Sequence, residues 1–599
     1  MLKEAQAIGM PGRQDHGAHA HSGAESVSGF DHRSFLFHVK CLANLRKRAS
    51  AASLAAAVLT AWFRKSYPRL GGIDLPVPMS LEGNVDIDSF ALALSRQPLL
   101  EATYWLSSAY AKLLHHKQRK ALSMYFTPPL LVTRVLDDLA ARGVKFEIGK
   151  FLDPACGGSA FLVPIALRMK QALRGRYSAS DIIKHVESHL LGIDLDATLC
   201  ILSRQFLRAV LHEEIEATSI EPRFAIFSGN SLLDAKHLCG AIDVVICNPP
   251  YRKMAADEVH AIKSSFGHVL ASQPNLYGIF IASCVQFLKV GATAAVVTPT
   301  SFLSGHSFAK LRSFLTTQSQ LLSVGIVSAR EGVFIDVQQE TAITTIRRGV
   351  EVERRLSTSV SLISPQGQCA FIGECVLPAS GDAWPIPRAS SDVALIAKAS
   401  RMAHRLSDYG YQIRVGNYVW NRDERKAYSS ERVAHRFNKK QSIPLLWSSD
   451  IKPGNSVQFD GAKKANGERR FVVFEDQGHA AVIRRPCVLL QRVTSNDQSR
   501  RLVAGSVPQS LFRIYGGFVG ENHTVILVPT DGRPVLSPIQ LARLLGCPEI
   551  DRLFRCISGA TNVSVFELGQ LPLPDPQAIK EKLKRGASIE LAIQELMRN

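Results

Sequence analysis

Paired cysteines, long apolar runs and acidic charge are all scarce in this chain. Its 11 cysteines are an odd number and include no Cys-x-x-Cys pair, so the sequence indicates neither a disulfide framework nor a zinc site. The most apolar stretch, Ala51–Phe63, is too short to span a bilayer and predicts a buried helix instead. We therefore expect a cytoplasmic protein with reduced cysteines, no membrane span and no bound metal.

Basic residues clearly outnumber acidic ones. The chain has 71 Lys and Arg against 52 Asp and Glu, a formal net charge of +19. Residues 401–599 hold 30 of those basic residues and 19 of the acidic ones, a net of +11 in one third of the length. A surface this basic suggests an acidic partner, most commonly nucleic acid. The last third is therefore expected to face phosphates.

Composition and periodicity divide the chain into five segments. Residues 1–30 have the composition of a flexible tail, and residues 31–120 have helical periodicity. Residues 121–350 alternate short apolar runs with helical segments. The proline-containing stretch 351–400 is interpreted as a linker, and 401–599 as a mixed α+β second domain.

The central segment predicts an α/β fold. Strands that alternate with helices form a mostly parallel sheet covered on both faces, and such sheets bind ligands beyond the carboxyl ends of the strands. The predicted strands are Ile148–Asp153, Leu190–Asp194, Phe224–Phe227, Ile242–Cys247, Ala294–Thr298, Val324–Val327 and Ala342–Ile346.

One strand is followed directly by Asn248-Pro249-Pro250-Tyr251. An exocyclic amine on an aromatic ring is a poor nucleophile, because its lone pair is delocalised into the ring. The Asn248 side-chain oxygen and the Pro249 carbonyl are two acceptors that would favour its more nucleophilic form. Tyr251 offers an aromatic face for a flat base. Taken alone, the four residues also fit a proline-rich turn after a buried strand.

A second motif, Asp153-Pro-Ala-Cys-Gly-Gly-Ser-Ala-Phe161, has the pattern of a strand, a small-residue turn and a helix. Gly157 and Gly158 let the backbone approach a ligand closely, and a helix start offers free N–H groups to a carboxylate. No Gly-Lys-Ser/Thr follows, so this is not an ATP-type phosphate loop.

A third motif, Gly192-Ile-Asp-Leu-Asp196, ends the next predicted strand. Asp194 is placed to accept both hydroxyls of a ribose, while Asp196 is predicted to cap a helix. A helix inserted around Asp181–His189 accounts for the long spacing from Asp153. At the end of the following strand, Asn230 is a candidate to bind an adenine edge.

The order of these motifs resembles that of the N6-adenine DNA methyltransferases of restriction–modification systems, in the class with the catalytic domain first and the target-recognition domain last. The resemblance runs from about Tyr125 to Ile346 and, more loosely, to Leu573. It implies a Rossmann-like methyltransferase domain, S-adenosylmethionine as cofactor and double-stranded DNA as substrate. It also implies a cognate restriction endonuclease encoded nearby and a location on the nucleoid.

The resemblance also assigns roles to particular residues. Tyr125-Phe-Thr-Pro-Pro129 matches the family's cofactor-binding entry motif. Asn248 to Tyr251 become the catalytic loop, and the flipped adenine is expected to stack between Tyr251 and Phe334. The implied cofactor contacts are Thr127, Pro129, Asp153, Ala155, Cys156, Gly157, Asp194 and Asn230.

The basic last third resembles a target-recognition domain. Arg414-Val-Gly-Asn-Tyr-Val-Trp420 interleaves a cation, a glycine and aromatics, and two later segments, Gln491–Thr494 and Gln498–Arg501, gather groups that read bases or hold phosphates. The residues expected to contact DNA are Arg414, Trp420, Arg492, Arg500 and Arg501.

Several other functions use similar motifs. Protein glutamine-N5 and RNA guanine-N2 methyltransferases also carry Asn-Pro-Pro-Tyr, but a large basic domain after the catalytic one argues against both. A DNA-binding modification subunit that needs a specificity partner is a further alternative. Cytosine-C5 chemistry needs a Pro-Cys loop, and Pro486-Cys487 lies outside the sheet region. Cytosine-N4 chemistry more often uses serine or aspartate at the Asn248 position. No convincing nuclease motif is present, so we expect a methylase without a fused nuclease.

Overall fold

A computed structural model describes residues 30–70, 77–122, 124–327, 340–349, 357–364, 366–432, 442–461, 469–474, 479–494, 498–530, 532–559 and 562–598. The segment predicted as a flexible tail therefore lies almost wholly outside the described residues. All 11 cysteines lie in the described ranges and are free thiols. Within those ranges, no helix is both long and apolar enough to cross a membrane.

The first described part of the chain is helical, as its periodicity predicts. The apolar stretch at Ala51 forms a helix whose side chains are almost all buried, with Ser50 as its N-cap. The helices of this part are His32–Asn44, Ala51–Ser66, Val85–Ser95, Leu99–Leu113 and His116–Leu122.

The middle of the chain folds into a nine-stranded sheet, called here the main sheet, within the described residues. Its strands are β1 Phe151–Asp153, β2 Leu190–Asp194, β3 Ala225–Ser228, β4 Ile242–Cys247, β5 Leu288–Pro299, β6 Ser319–Val327, β7 Thr341–Arg348, β8 Thr358–Ile363 and β9 Cys369–Cys375. The helices that alternate with them are Pro129–Ala141, Leu162–Leu173, Ala179–His189, Ala197–Val210, His212–Thr218, Ser231–Asp234, Ala256–Phe266, Leu276–Phe287 and Ala309–Gln318.

The strand order of the main sheet is β3-β2-β1-β4-β5-β7-β6-β8-β9. Strands β1 to β5 run parallel, and β7 is inserted antiparallel between β5 and β6. This arrangement confirms the predicted α/β fold. Because β1 to β4 are parallel neighbours, the four motifs that follow them meet at one edge of the sheet.

The prediction of a linker over 351–400 is wrong. Strand β8 pairs in parallel with β6, and β9 pairs antiparallel with β8, so both extend the main sheet. The helix Ser390–Ala399 then packs against β9 and against a helix of the last third. Pro378, Pro385 and Pro387 lie in the segment between β9 and this helix and do not separate two domains.

Buried side chains fill both faces of the main sheet. On one face, the N-terminal helices share a single core with the helices Leu162–Leu173 and Ala197–Val210, for example where the rings of Trp62 and Phe206 meet. On the other face, Leu276–Phe287 is buried along nearly its whole length. The N-terminal helices are therefore part of the same folding unit as the main sheet.

The last third is a mixed α+β region, as predicted. Within its described part it contains a six-stranded sheet of order β10-β19-β16-β17-β14-β13 and a four-stranded sheet of order β11-β15-β12-β18. Its strands are β10 Tyr411–Val415, β11 Ala427–Tyr428, β12 Ser442–Leu446, β13 Ile451–Lys452, β14 Ser456–Val457, β15 Phe471–Val473, β16 Val488–Gln491, β17 Ala504–Ser506, β18 Val519–Gly520 and β19 Thr524–Pro529. Its helices are Gln509–Tyr515, Pro538–Leu545, Pro548–Ile557, Val565–Gly569, Pro576–Lys584 and Ile589–Arg598.

Segments that are distant in sequence lie next to one another at one end of the six-stranded sheet. The last residues of β10 and β16 pair with the first residues of β19, and the start of β17 pairs with the end of β16. The turns that follow Val415 and Gln491 therefore lie beside those that precede Thr524 and Ala504. We call this group of turns the recognition end.

The recognition end is linked to the main sheet, beyond the end of β5, through neighbouring residues of the last third. Val493 forms a bridge with Asn562, and a Cβ atom on nearby Gly559 would lie 2.6 Å from Thr300 Oγ1, which directly follows β5. A second contact joins Ser304 Oγ to the buried Glu567 at 2.6 Å. The two parts of the protein are held together by buried polar contacts, which have defined geometry.

The assignment of Arg501 to DNA contact is wrong. Its side chain is fully buried and donates to Thr494 and, at 2.8 Å, to Ser558 Oγ. The neighbouring Arg500 is exposed, as a phosphate contact must be. Arg501 instead ties the recognition end to the helix Pro548–Ile557.

We predict that Arg501→Ala destabilises the fold while Arg500→Ala does not. Removing the buried guanidinium takes a hydrogen-bond donor from the buried Thr494 carbonyl and from the Ser558 hydroxyl, at a cost of about 3 kcal/mol. Thermal unfolding of the two variants beside the wild type measures this. Equal melting temperatures for both variants would contradict the structural role.

Candidate active site

A cavity of about 300 Å³ opens at the edge of the main sheet where β1 to β4 end. Segments that follow all four strands line it, together with the backbone around Phe126. Most of the residues predicted to bind the cofactor border it, namely Thr127, Asp153, Ala155, Cys156, Gly157, Asp194 and Asn230. Pro129 does not, because it begins the helix Pro129–Ala141 and borders a smaller neighbouring cavity.

The glycine turn after β1 has no room for side chains. Gly157 has a φ of +50°, and a Cβ atom there would lie 3.0 Å from the Phe126 ring. A Cβ atom on Gly158 would lie 2.0 Å from Ser107 Oγ, on the helix Leu99–Leu113. Both glycines are therefore needed, one for its backbone conformation and one because an N-terminal helix packs directly against the turn.

Two buried carboxyl groups face the cavity. Asp153 is 2% exposed, and burial raises its pKa well above the ordinary value, with the charge of Asp194 adding to the effect. The only hydrogen bond that Asp153 accepts in the described structure comes from the Ala155 N–H, at 3.1 Å. A carboxylate held this way is poorly compensated, so it favours a cationic ligand.

Asp194 is held in place by two backbone N–H groups. Its carboxylate oxygens accept from Gly157 and Asp196, each at 2.9 Å, and burial raises its pKa to about 6. Asp196 caps the helix Ala197–Val210 as predicted, and it also accepts a 2.9 Å hydrogen bond from Tyr110 Oη. The motif Gly192–Asp196, called here the acid motif, is thus held both by the glycine turn and by an N-terminal helix.

Asn230 follows β3 and caps the short helix Ser231–Asp234. Its side-chain oxygen accepts from the Leu232 N–H at 3.1 Å, while its own N–H donates to Asp234. These bonds orient the Asn230 side chain at the rim of the cavity.

Asn248 follows β4, and its side chain makes three hydrogen bonds within the site. Its Nδ2 donates to the Tyr125 carbonyl and to Thr127 Oγ1, each at 3.0 Å. Its Oδ1 accepts from Tyr251 Oη at 2.7 Å. Asn248 borders the cofactor cavity, so the acceptor predicted to orient an amine lies beside the place where the cofactor is expected.

Tyr251 turns inward from the catalytic loop. Its hydroxyl lies 2.7 Å from Asn248 Oδ1 and 2.8 Å from the Val297 carbonyl, and its ring meets that of Tyr277 edge-on. Burial raises the pKa of Tyr251 well above its usual range, so the hydroxyl stays protonated. Tyr251 does not border the cofactor cavity, unlike Pro250. The second predicted stacking residue, Phe334, lies outside the described residues.

The sequence analysis missed the far wall of the cavity. This wall is formed by the helix Ala256–Phe266 and by Leu276 and Phe280. Arg252, next to the catalytic loop, makes a bidentate ion pair with Glu258 of that helix, at 2.7 and 2.5 Å. No short motif marks these residues; their helical spacing is typical of any helix packed on a sheet.

Four of the residues expected to contact DNA lie at or next to the recognition end. Arg414 is exposed on β10, and Trp420 is 61% exposed in the turn after it. Arg492 follows β16, where its N–H donates to the His523 carbonyl, and Arg500 precedes β17. The turn that carries Trp420 is ordered by hydrogen bonds from the Arg422 and Asp423 N–H groups to the Val419 carbonyl.

Comparisons with known proteins agree with this geometry. Residues 102–368 match the family model for N-6 DNA methylases. The Type II methyltransferase M.PstI of Providencia stuartii is 27% identical over 350 residues, which cover 56% of this chain and 66%, just under two thirds, of M.PstI. The Type II methyltransferase M.BsuBI of Bacillus subtilis is 23% identical over 480 residues, 76% of this chain and 88% of M.BsuBI.

A solved structure extends the comparison beyond the main sheet. The Type IIL restriction–modification enzyme MmeI, solved in complex with DNA, superimposes with a TM-score of 0.55 at 14% identity, covering 94% of this chain and 91% of that chain. At that identity the likeness shows the fold alone. Over residues 102–368, this chain is therefore similar to the N-6 DNA methylases.

Proposed function

We propose that this protein transfers a methyl group from S-adenosylmethionine to N6 of adenine in double-stranded DNA, as the modification enzyme of a restriction–modification system. One observation carries the proposal. Asn248, one of the two proposed acceptors for an amine, borders the same cavity as Asp153 and Asp194, so it shares one site with the predicted cofactor residues.

The residues that line the cavity suit the proposed cofactor. Its two carboxyl groups, Asp153 and Asp194, face a space in which a cationic nucleoside would neutralise their charge. We assign Asp194 to the ribose hydroxyls and Asn230 to the adenine edge, because both residues border this cavity. When bound, S-adenosylmethionine supplies a methyl group on a positively charged sulfur, which is a strong electrophile.

The catalytic loop is proposed to orient the adenine amine. Asn248 Oδ1 and the Pro249 carbonyl accept its two hydrogens, which directs the nitrogen lone pair toward the methyl carbon. With the cofactor bound, the amine would form the new C–N bond as the C–S bond breaks, and the electron pair of that bond would stay on sulfur. An amide and a peptide carbonyl are too weakly basic to keep the released proton, which therefore passes to water.

The recognition end is proposed to hold the DNA. It is linked through Val493 and Asn562 to the segment that contacts Thr300 after β5, and β5 is the neighbour of β4, which Asn248 follows. Arg414, Arg492 and Arg500 suit phosphates or base edges, and the exposed Trp420 suits stacking. The adenine must leave the DNA double helix to reach Asn248. Unstacking it costs a few kcal/mol, which the contacts between protein and DNA offset.

We predict that Asn248→Ala abolishes methyl transfer and keeps cofactor binding. The variant loses one of the two acceptors for the amine, and a loss of at least about a hundredfold in kcat is expected. Transfer of radiolabelled methyl groups to DNA measures turnover, and calorimetry measures S-adenosylmethionine binding. Normal turnover in this variant would contradict the proposed role of Asn248. Labelling of protein or RNA in place of DNA by the wild type would instead mean that the substrate is not DNA.

We predict that cofactor binding weakens as the pH falls through about 6. The pKa of Asp194 is raised to about 6, so its carboxyl group is neutral below that pH and loses its attraction for a cationic ligand. Calorimetry between pH 5 and 8 should show the Kd for S-adenosylmethionine rising toward acid pH.

The matched control for this pH dependence is Asp194→Asn. This variant should bind weakly at neutral pH and show a smaller change with pH, because the group with a pKa of about 6 is gone. A Kd that is constant from pH 5 to 8 in the wild type would rule out a role for the Asp194 charge.

A further inference from the structure

The amide group of Asn248 has a fixed orientation because both of its N–H bonds have acceptors. Nδ2 lies 3.0 Å from the Tyr125 carbonyl and 3.0 Å from Thr127 Oγ1. Thr127 is 1% exposed, so water does not readily replace its hydroxyl as the acceptor. A rotation of the amide by 180° would place Oδ1 against the Tyr125 carbonyl, and two acceptors repel each other.

This orientation decides whether the residue works. In the observed orientation Oδ1 points away from Tyr125 and already serves as an acceptor, since Tyr251 Oη lies 2.7 Å from it. A rotated amide would present N–H groups to the adenine amine, which needs acceptors. The Tyr251 hydroxyl has a second acceptor, the Val297 carbonyl at 2.8 Å, so an arriving amine can take over Oδ1 without leaving the hydroxyl unpaired.

We propose that Thr127 is a positioning residue that acts through Asn248, in addition to bordering the cofactor cavity. The proposal rests on the proposed function, because it assigns Asn248 Oδ1 to the adenine amine. The resemblance alone makes Thr127 a cofactor contact. The hydrogen bond to Asn248 gives it a role in the methyl-transfer step, which affects kcat and not the affinity for the cofactor.

Three variants separate these two roles. Thr127→Val keeps the side-chain shape and removes the hydroxyl, Thr127→Ser keeps the hydroxyl, and Thr133→Val removes an exposed hydroxyl that bonds the Pro129 carbonyl in the following helix. We expect Thr127→Val to lower kcat about tenfold to a hundredfold, because a misplaced acceptor misaligns the amine. Its Kd for S-adenosylmethionine should stay within about threefold. The other two variants should keep the wild-type kcat.

The opposite pattern of effects on kcat and Kd would overturn the proposal. A Thr127→Val variant whose Kd rises more than about tenfold, while kcat at saturating cofactor is unchanged, would make Thr127 a cofactor contact only. So would a Thr127→Ser variant as impaired as Thr127→Val.

A spectroscopic readout is independent of methyl transfer. In protein labelled with [15N]asparagine, the Asn248 side-chain signals are those missing from Asn248→Asp. Thr127→Val should shift these two proton signals and speed their exchange with water, while Thr133→Val leaves them in place. If the wild type methylates no adenine, the proposed function fails. Unchanged Asn248 signals in Thr127→Val would refute the positioning role independently of that result.

Discussion

The site depends above all on the parallel pairing of β1 with β2 and β4, and of β2 with β3. Each strand contributes one motif at its carboxyl end, and no motif is complete without its neighbours. Gly157 after β1 donates to Asp194 after β2, and Asn248 after β4 is held by the segment before β1. A shift in the register of one strand would therefore disturb the cofactor cavity and the catalytic loop together.

The N-terminal helices and the last third contact this part of the main sheet from opposite sides. Ser107 and Tyr110, on one helix, contact the glycine turn and the acid motif. On the other side, the buried Glu567 of the last third accepts a 2.6 Å hydrogen bond from Ser304, which lies shortly after β5. Buried polar contacts are demanding in geometry, so they fix how the recognition end sits relative to Asn248.

The sequence predicted the parts of the fold that depend on local pattern. Apolar runs bounded by turns located β2 and β4 to the residue, and the motifs after them line one cavity. The errors concern long-range packing. Strands β8 and β9 lie among prolines and pair with strands distant in sequence, and the burial of Arg501 depends on Thr494 and Ser558. The orientation of the Asn248 amide likewise needs Thr127, which is 121 residues away.

Sequencing of cellular DNA tests the central claim most directly. The measurement is single-molecule sequencing with modification detection, on DNA from a methylation-deficient host that expresses this protein or its Asn248→Ala variant. The account predicts N6-methyladenine at one short motif with the wild type and none with the variant. An absence of modified adenine, from a wild-type protein shown to be folded and to bind S-adenosylmethionine, would contradict it.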